Sequence, residues 1–137
     1  FLLGQPSVVK EGKDVTIMVT GTIINEVMQA VKALEEDGIN AEVVSVHTLK
    51  PLDTKKIAEL AQRTGRLITV EEHNVIGGLY SAIAESMARE NVMVPNLSIG
   101  LYDTFAVDYG QLRAVRKANR LDAVSIYKKI RNFIMNT

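Results

Sequence analysis

Cysteine is absent from the 137 residues, which excludes disulfides, thiolate nucleophiles and Cys-based metal sites together. Its absence fits a reducing compartment, and the expected location is the cytoplasm. There is no apolar run of the roughly 20 residues needed to cross a bilayer, so no membrane partner is expected. There is no excess charge either, because 16 basic residues balance 16 acidic ones. Histidines number two, His47 and His73, and they lack HExxH spacing, so no metal site is expected. The GxGxxG and GxxxxGK[ST] phosphate loops are missing, as is the GxSxG elbow. The opening Phe1-Leu2-Leu3-Gly4 has neither an initiator Met nor a basic n-region, and reads as a cut beginning rather than a signal peptide.

What remains is the composition of one ordinary globular domain, 47% hydrophobic and 23% charged. Charge is uneven along it. Arg113, Arg116, Lys117, Arg120, Lys128, Lys129 and Arg131 face a single acid, Asp122, after Gly110. A basic tail can mark nucleic-acid binding, but no aromatic stacking platform accompanies this one, so it reads as a solvated face on terminal helices and no nucleic-acid partner is expected.

Short, largely apolar, β-branched runs occur at Val15–Thr20, Ala41–Val46, Arg66–Val70 and Leu97–Leu101. Runs of that kind suit strands covered on both faces, as in a parallel sheet. A short extra strand is possible near Ser7 to Lys10. Between the strands, Ile24, Val27, Met28, Val31 and Leu34 recur at helical spacing, and Asp37-Gly38 closes that helix. Asp53 or Thr54 can cap a second helix through Ile57, Leu60 and Ala61. A third runs from about Gly78 through Ile83 and Met87. Two more lie around Leu112 and Val115, and from Ile126 through Tyr127, Ile130, Phe133 and Ile134. The alternation predicts a three-layer α/β/α domain with right-handed crossovers.

In open α/β sheets, sites form at the carboxyl ends of the strands. The richest such segment is Glu71-Glu72-His73-Asn74-Val75-Ile76-Gly77-Gly78, expected as a loop directly after a strand. His73 could be an acid–base group tuned by Glu71 or Glu72, and the following helix start could hold an anion. The structural alternative is that the carboxylates only satisfy exposed amides and His73 lines an interface. His47 reads as a residue hydrogen-bonded within its loop, and Asp103 and Asp108 as loop-capping carboxylates.

Thr69-Val70-Glu71-Glu72-His73 followed by Ile76-Gly77-Gly78-Leu79 resembles the signature of the transketolase C-terminal domain family. Glu11 to Ile17 with Thr20-Gly21, Thr48 to Asp53, and Gly100 to Phe105 with Leu121-Asp122 resemble its other motifs, in the same order. The likeness runs from about Val8 to Ile130 and looks closest to split, prokaryotic-type transketolases. The sequence departs from the pattern at Tyr80, where a small residue is common, at Tyr109, where Ser is frequent, and at Asn119-Arg120, where Tyr-Gly is common. The resemblance implies a five-stranded mixed sheet between helices, with a short antiparallel first strand.

The same resemblance implies an enzyme that transfers a two-carbon ketol unit between sugar phosphates, using thiamine diphosphate and Mg2+. In the family, upstream pyrimidine- and diphosphate-binding domains or a subunit hold that cofactor, and no cofactor-binding residue is expected in residues 1–137. The implied role is an interdomain and dimer-supporting module, active only within its parent enzyme, a homodimer. Its junction loop would comprise Glu71, Glu72, His73, Asn74, Gly77 and Gly78. The same family holds deoxyxylulose-phosphate synthases and 2-oxo acid dehydrogenase beta subunits. Two readings of other classes stay open: a stand-alone phosphate-ligand-binding module at the Gly77-Gly78 turn, and a docking domain for a large acyl-carrying partner.

Overall fold

The computed structural model describes residues 5–47, 51–74, 76–101, 116–117 and 119–137, apart from the side chains of His73 and Asn74. The strands are β1 (Ser7–Lys10), β2 (Val15–Val19), β3 (Ala41–Ser45), β4 (Leu67–Asn74) and β5 (Asn96–Leu101). The helices are α1 (Ile24–Glu36), α2 (Thr54–Thr64), α3 (Leu79–Arg89) and α4 (Ala123–Met135). Arg116 and Lys117 are also helical; the helix expected around Leu112 and Val115 otherwise falls outside the described residues, as do Asp103 and Asp108.

One sheet runs in the order β1-β3-β2-β4-β5. The pairs β2–β3, β2–β4 and β4–β5 are parallel, and β1 lies antiparallel on β3, as the resemblance implies. Because side chains alternate across a strand, β2 feeds two cores. Val15, Ile17 and Val19 meet Val27, Val31 and Leu34 of α1 and Ile126 and Ile130 of α4. Met18 turns the other way, into Ile57 and Leu60 of α2 and Ile83 and Met87 of α3. Helices thus cover both faces, which is why all five β2 residues are buried and why the strand reads as a continuous apolar run.

The strand expectation needs one correction. β4 continues through Glu71 to Asn74 instead of ending at Val70. Its pairing with β5 runs regularly to Val70↔Ile99 and resumes at Asn74↔Leu101, so β4 carries extra residues against its partner. Such a bulge takes residues out of the ladder and re-aims their side chains, which the polar letters Glu-Glu-His-Asn make look like a loop.

Two backbone sites explain sequence details. A Cβ on Gly12 would sit 2.3 Å from the carbonyl carbon of Ala41, so glycine is needed where the β1–β2 turn crosses β3. Arg120 stands where the family commonly has glycine, and its φ is +60°. It follows the helical turn of Arg116 and Lys117 in a six-residue left-handed closure: the Leu121 amide donates to Arg116 O (2.6 Å) and the Arg120 amide to Lys117 O (3.1 Å).

A left-handed non-glycine residue costs about 1–2 kcal/mol, of which glycine would return part to unfolded-chain entropy. Arg120→Gly should therefore raise stability by ~0.5–1 kcal/mol, read as a higher urea midpoint with unchanged slope.

Candidate functional site

β2 and β4 are neighbours, but the chain leaves them toward opposite faces: β2 into α1, packed with α4, and β4 into α3, packed with α2. This is the switch point of the sheet, where diverging connections open a crevice at the carboxyl ends of the strands. Gly21 and Thr22 follow β2 there, and Glu71 and Glu72 lie across from them at the end of β4.

Glu71 is fully buried. Its carboxylate spans the first turn of α3: Oε1 accepts from the Leu79 amide at 2.8 Å and Oε2 from the Tyr80 amide at 3.0 Å. Those amides have no acceptor within the helix, and the helix dipole favours a negative charge at that point. Gly77, at φ +81°, donates its own amide to Ser81 Oγ at 2.8 Å. The anion expected at this helix start is thus Glu71 itself. The Gly77, Leu79 and Tyr80 amides, which a phosphate at this turn would use, are already engaged, which argues against a free phosphate ligand there.

Glu72 points to the other side of the bulge and meets Arg116. The guanidinium donates from Nη2 to Glu72 Oε1 (2.7 Å) and from Nε to Glu72 Oε2 (3.0 Å), a bidentate pair. Nη2 also donates to Thr22 Oγ1 at 2.9 Å, and Nη1 stands 3.7 Å from Glu26 Oε1. Arg116 is only 6% exposed. Its hydrogen bond to Glu72 and the charges of Glu72 and Glu26 hold its pKa above the ordinary value against the opposing effect of burial. Glu26 Oε2, in turn, accepts from the Ala123 amide at 2.9 Å, at the start of α4.

The basic tail therefore does not read uniformly as a solvated face. Lys117, Arg120, Lys128 and Arg131 are exposed, but Arg116 is a buried cation with two carboxylate partners. The sequence carried one signal of this: Arg116 lies four residues after the apolar Leu112, a spacing that would put both on one face were the stretch helical.

His73 and Asn74 lie on the backbone of β4 within the bulge, and their side chains are outside the described residues. Ile76, two residues before the helix-opening Gly78, is 70% exposed. Gly21, Thr22, His47 and Gly77 are exposed at the same edge of the sheet. Tyr80 leaves the helix start undisturbed: its amide serves Glu71, while its hydroxyl donates to Asn96 Oδ1 at 2.9 Å. Among the described residues, no group of three His, Cys, Asp or Glu side chains is arranged to hold a metal ion. Nor is any of the described helices long and apolar enough to cross a membrane.

A family model described as "Transketolase, C-terminal domain" matches residues 4–126. The chain belongs to the transketolase C-terminal domain family. The 6-deoxy-6-sulfo-D-fructose transketolase subunit of Clostridium sp. strain MSTE9 is 45% identical over 105 residues, covering 77% of this chain and 32% of that protein. The 1-deoxy-D-xylulose-5-phosphate synthase of Crocosphaera subtropica is 35% identical over 135 residues, 98% of this chain and 21% of that protein. The chain thus spans a third or less of each of these relatives. A solved split gene transketolase, described as an inactive beta4 tetramer, superposes with a TM-score of 0.87 at 37% identity, over 98% of this chain and 44% of its own. A transketolase mutant from Pichia stipitis shares the fold at a TM-score of 0.69 and 18% identity, over 95% of this chain and 18% of its own.

Two buried charge-assisted hydrogen bonds hold Glu71 on α3, each worth about 1.5–3 kcal/mol. Glu71→Gln keeps one acceptor oxygen and turns an NH2 group toward the other amide. We expect a loss of ~2–3 kcal/mol in urea unfolding, with faster hydrogen exchange at the Leu79 and Tyr80 amides.

Proposed function

We propose that this transketolase-family domain works as the supporting part of an enzyme that moves a two-carbon ketol unit between sugar phosphates. In this reading, upstream pyrimidine- and diphosphate-binding domains, or a subunit carrying them, hold thiamine diphosphate and Mg2+. When bound, the cofactor supplies the carbanion chemistry of ketol transfer. The start of α3, closed by Glu71, supports the reading that the cofactor is held elsewhere. The chain's own contribution is to pack against the pyrimidine-binding domain and to support a cytoplasmic homodimer. The loop Glu71, Glu72, His73, Asn74, Gly77 and Gly78 faces that junction.

The observation that carries this reading is Ile76, an aliphatic side chain 70% exposed just beyond the strand end where Glu71 bonds to α3 and Glu72 to Arg116. An apolar side chain at the switch-point edge gains from a covering surface, with burial contributing about 1.5–3 kcal/mol. The likeness to a transketolase subunit and to a split gene transketolase supports a companion chain as that surface. The family also includes synthases, so the substrates are tested rather than assumed.

The test mixes this chain with a companion carrying the upstream domains. Ketol transfer should need both parts, and thiamine diphosphate should bind the companion but not this chain alone by calorimetry. His73→Ala should lower turnover or assembly only a few-fold. A complete loss of turnover with normal assembly would give His73 a catalytic role, and cofactor binding by this chain alone would end the supporting-module reading.

A further inference from the structure

Ligands of open α/β sheets commonly lie in the switch-point crevice, between the connections that leave neighbouring strands on opposite sides. In this domain the protein fills that place itself. The Arg116 guanidinium comes from a segment 94 residues beyond Thr22 and 44 residues beyond Glu72, and bonds to both. Thr22 belongs to the connection after β2, Glu26 to the first turn of α1, and Glu72 to the bulge at the end of β4. One cation therefore joins the two sides of the crevice, the β2–α1 connection and the end of β4.

The geometry makes the link directional. Glu72 receives the flat fork of the guanidinium through two oxygens, which fixes the plane of its carboxylate as well as its distance. The adjacent residue, Glu71, is held by the Leu79 and Tyr80 amides. Consecutive side chains of β4 are thus anchored on opposite sides, one to α3 and one to Arg116. Ile76, four residues after Glu72, is exposed just beyond this doubly anchored strand end. Glu71 needs only its local helix start. Glu72 depends on a residue remote in sequence, so its placement reports whether the C-terminal segment is docked.

We propose that Arg116 is a positioning residue: it fills the switch-point crevice in place of a ligand and holds Glu72 so that the end of β4, with Ile76 and Gly77 beyond it, is presented in the form a companion domain binds. The docking half of this rests on the function proposed above; the placement of the loop does not. Arg116 touches neither substrate nor cofactor in this scheme, and its effect passes through Glu72.

Three variants of the full chain test it. Arg116→Lys keeps the charge but loses the bidentate fork, Arg116→Ala vacates the crevice, and Ile130→Val weakens the core beneath α4 without touching Glu72. In two-dimensional amide NMR of the chain alone, the Glu72, Ile76 and Gly77 signals should shift in both Arg116 variants and stay in place in Ile130→Val. Methylguanidinium at tens of millimolar should return them toward their parent positions in Arg116→Ala, and methylammonium should not. At a temperature where circular dichroism shows every variant folded, Arg116→Lys should bind the companion at least tenfold more weakly, and Ile130→Val should bind like the parent.

Unmoved loop amides in both Arg116 variants would overturn the positioning role, whatever the companion does. Shifted amides with unchanged affinity would overturn the docking half. A parent chain that binds no companion would instead count against the proposed function, and the amide shifts would still decide what Arg116 does. Should Arg116→Ala fail to fold, the lysine variant carries both measurements.

Discussion

A helix begins with amides that have no acceptor of their own, and here two helices begin on a carboxylate taken from another element. Glu71 of β4 serves α3, and Glu26 of α1 serves α4. These bonds tie strand to helix and helix to helix on opposite faces of the sheet. Each places a negative charge where the helix dipole stabilises it. The edge of the sheet that carries the exposed Ile76 is therefore built on buried acids whose job is structural.

Arg116 completes the arrangement from the far end of the chain. A buried cation is costly to desolvate and persists only with good partners. Glu72 and Glu26 supply two charges, and Thr22 supplies a neutral oxygen. Removing a partner of such a cation leaves its charge buried and mismatched, so the members act as a unit. That coupling joins the first connection of the fold to the last, and gives the carboxyl edge of the sheet one shape instead of several.

Much of this was legible in the residues. The apolar runs of β2 and β3, the stripe of α1 and the Asp53 cap, which accepts from the Lys56 amide at 3.1 Å, stand where the periodicity and capping rules place them. The antiparallel β1 was implied by the family resemblance and is present. The bulge of β4 was not legible, because Glu-Glu-His-Asn has the composition of a loop and only its resumed pairing with Leu101 makes it strand. Local polarity cannot say whether a carboxylate faces solvent or a helix start. For the same reason Glu71 looked like a candidate tuner of His73, and Arg116 like one more surface base. Both roles depend on partners far away in sequence, and a linear reading sees composition before it sees pairing.

The anchoring of Glu71 on Leu79 and Tyr80 also sets where the chain can grow. Residues added between Asn74 and Gly77 lengthen a connection whose two ends are already pinned, and closure entropy rises only slowly with length, by about 0.6 kcal/mol per doubling. One residue added between Gly78 and Leu79 would turn the helix start by about 100° under the carboxylate, taking both amides out of reach. A change in length is thus tolerated only at the few positions between these two anchors, where it leaves the domain beneath unaltered.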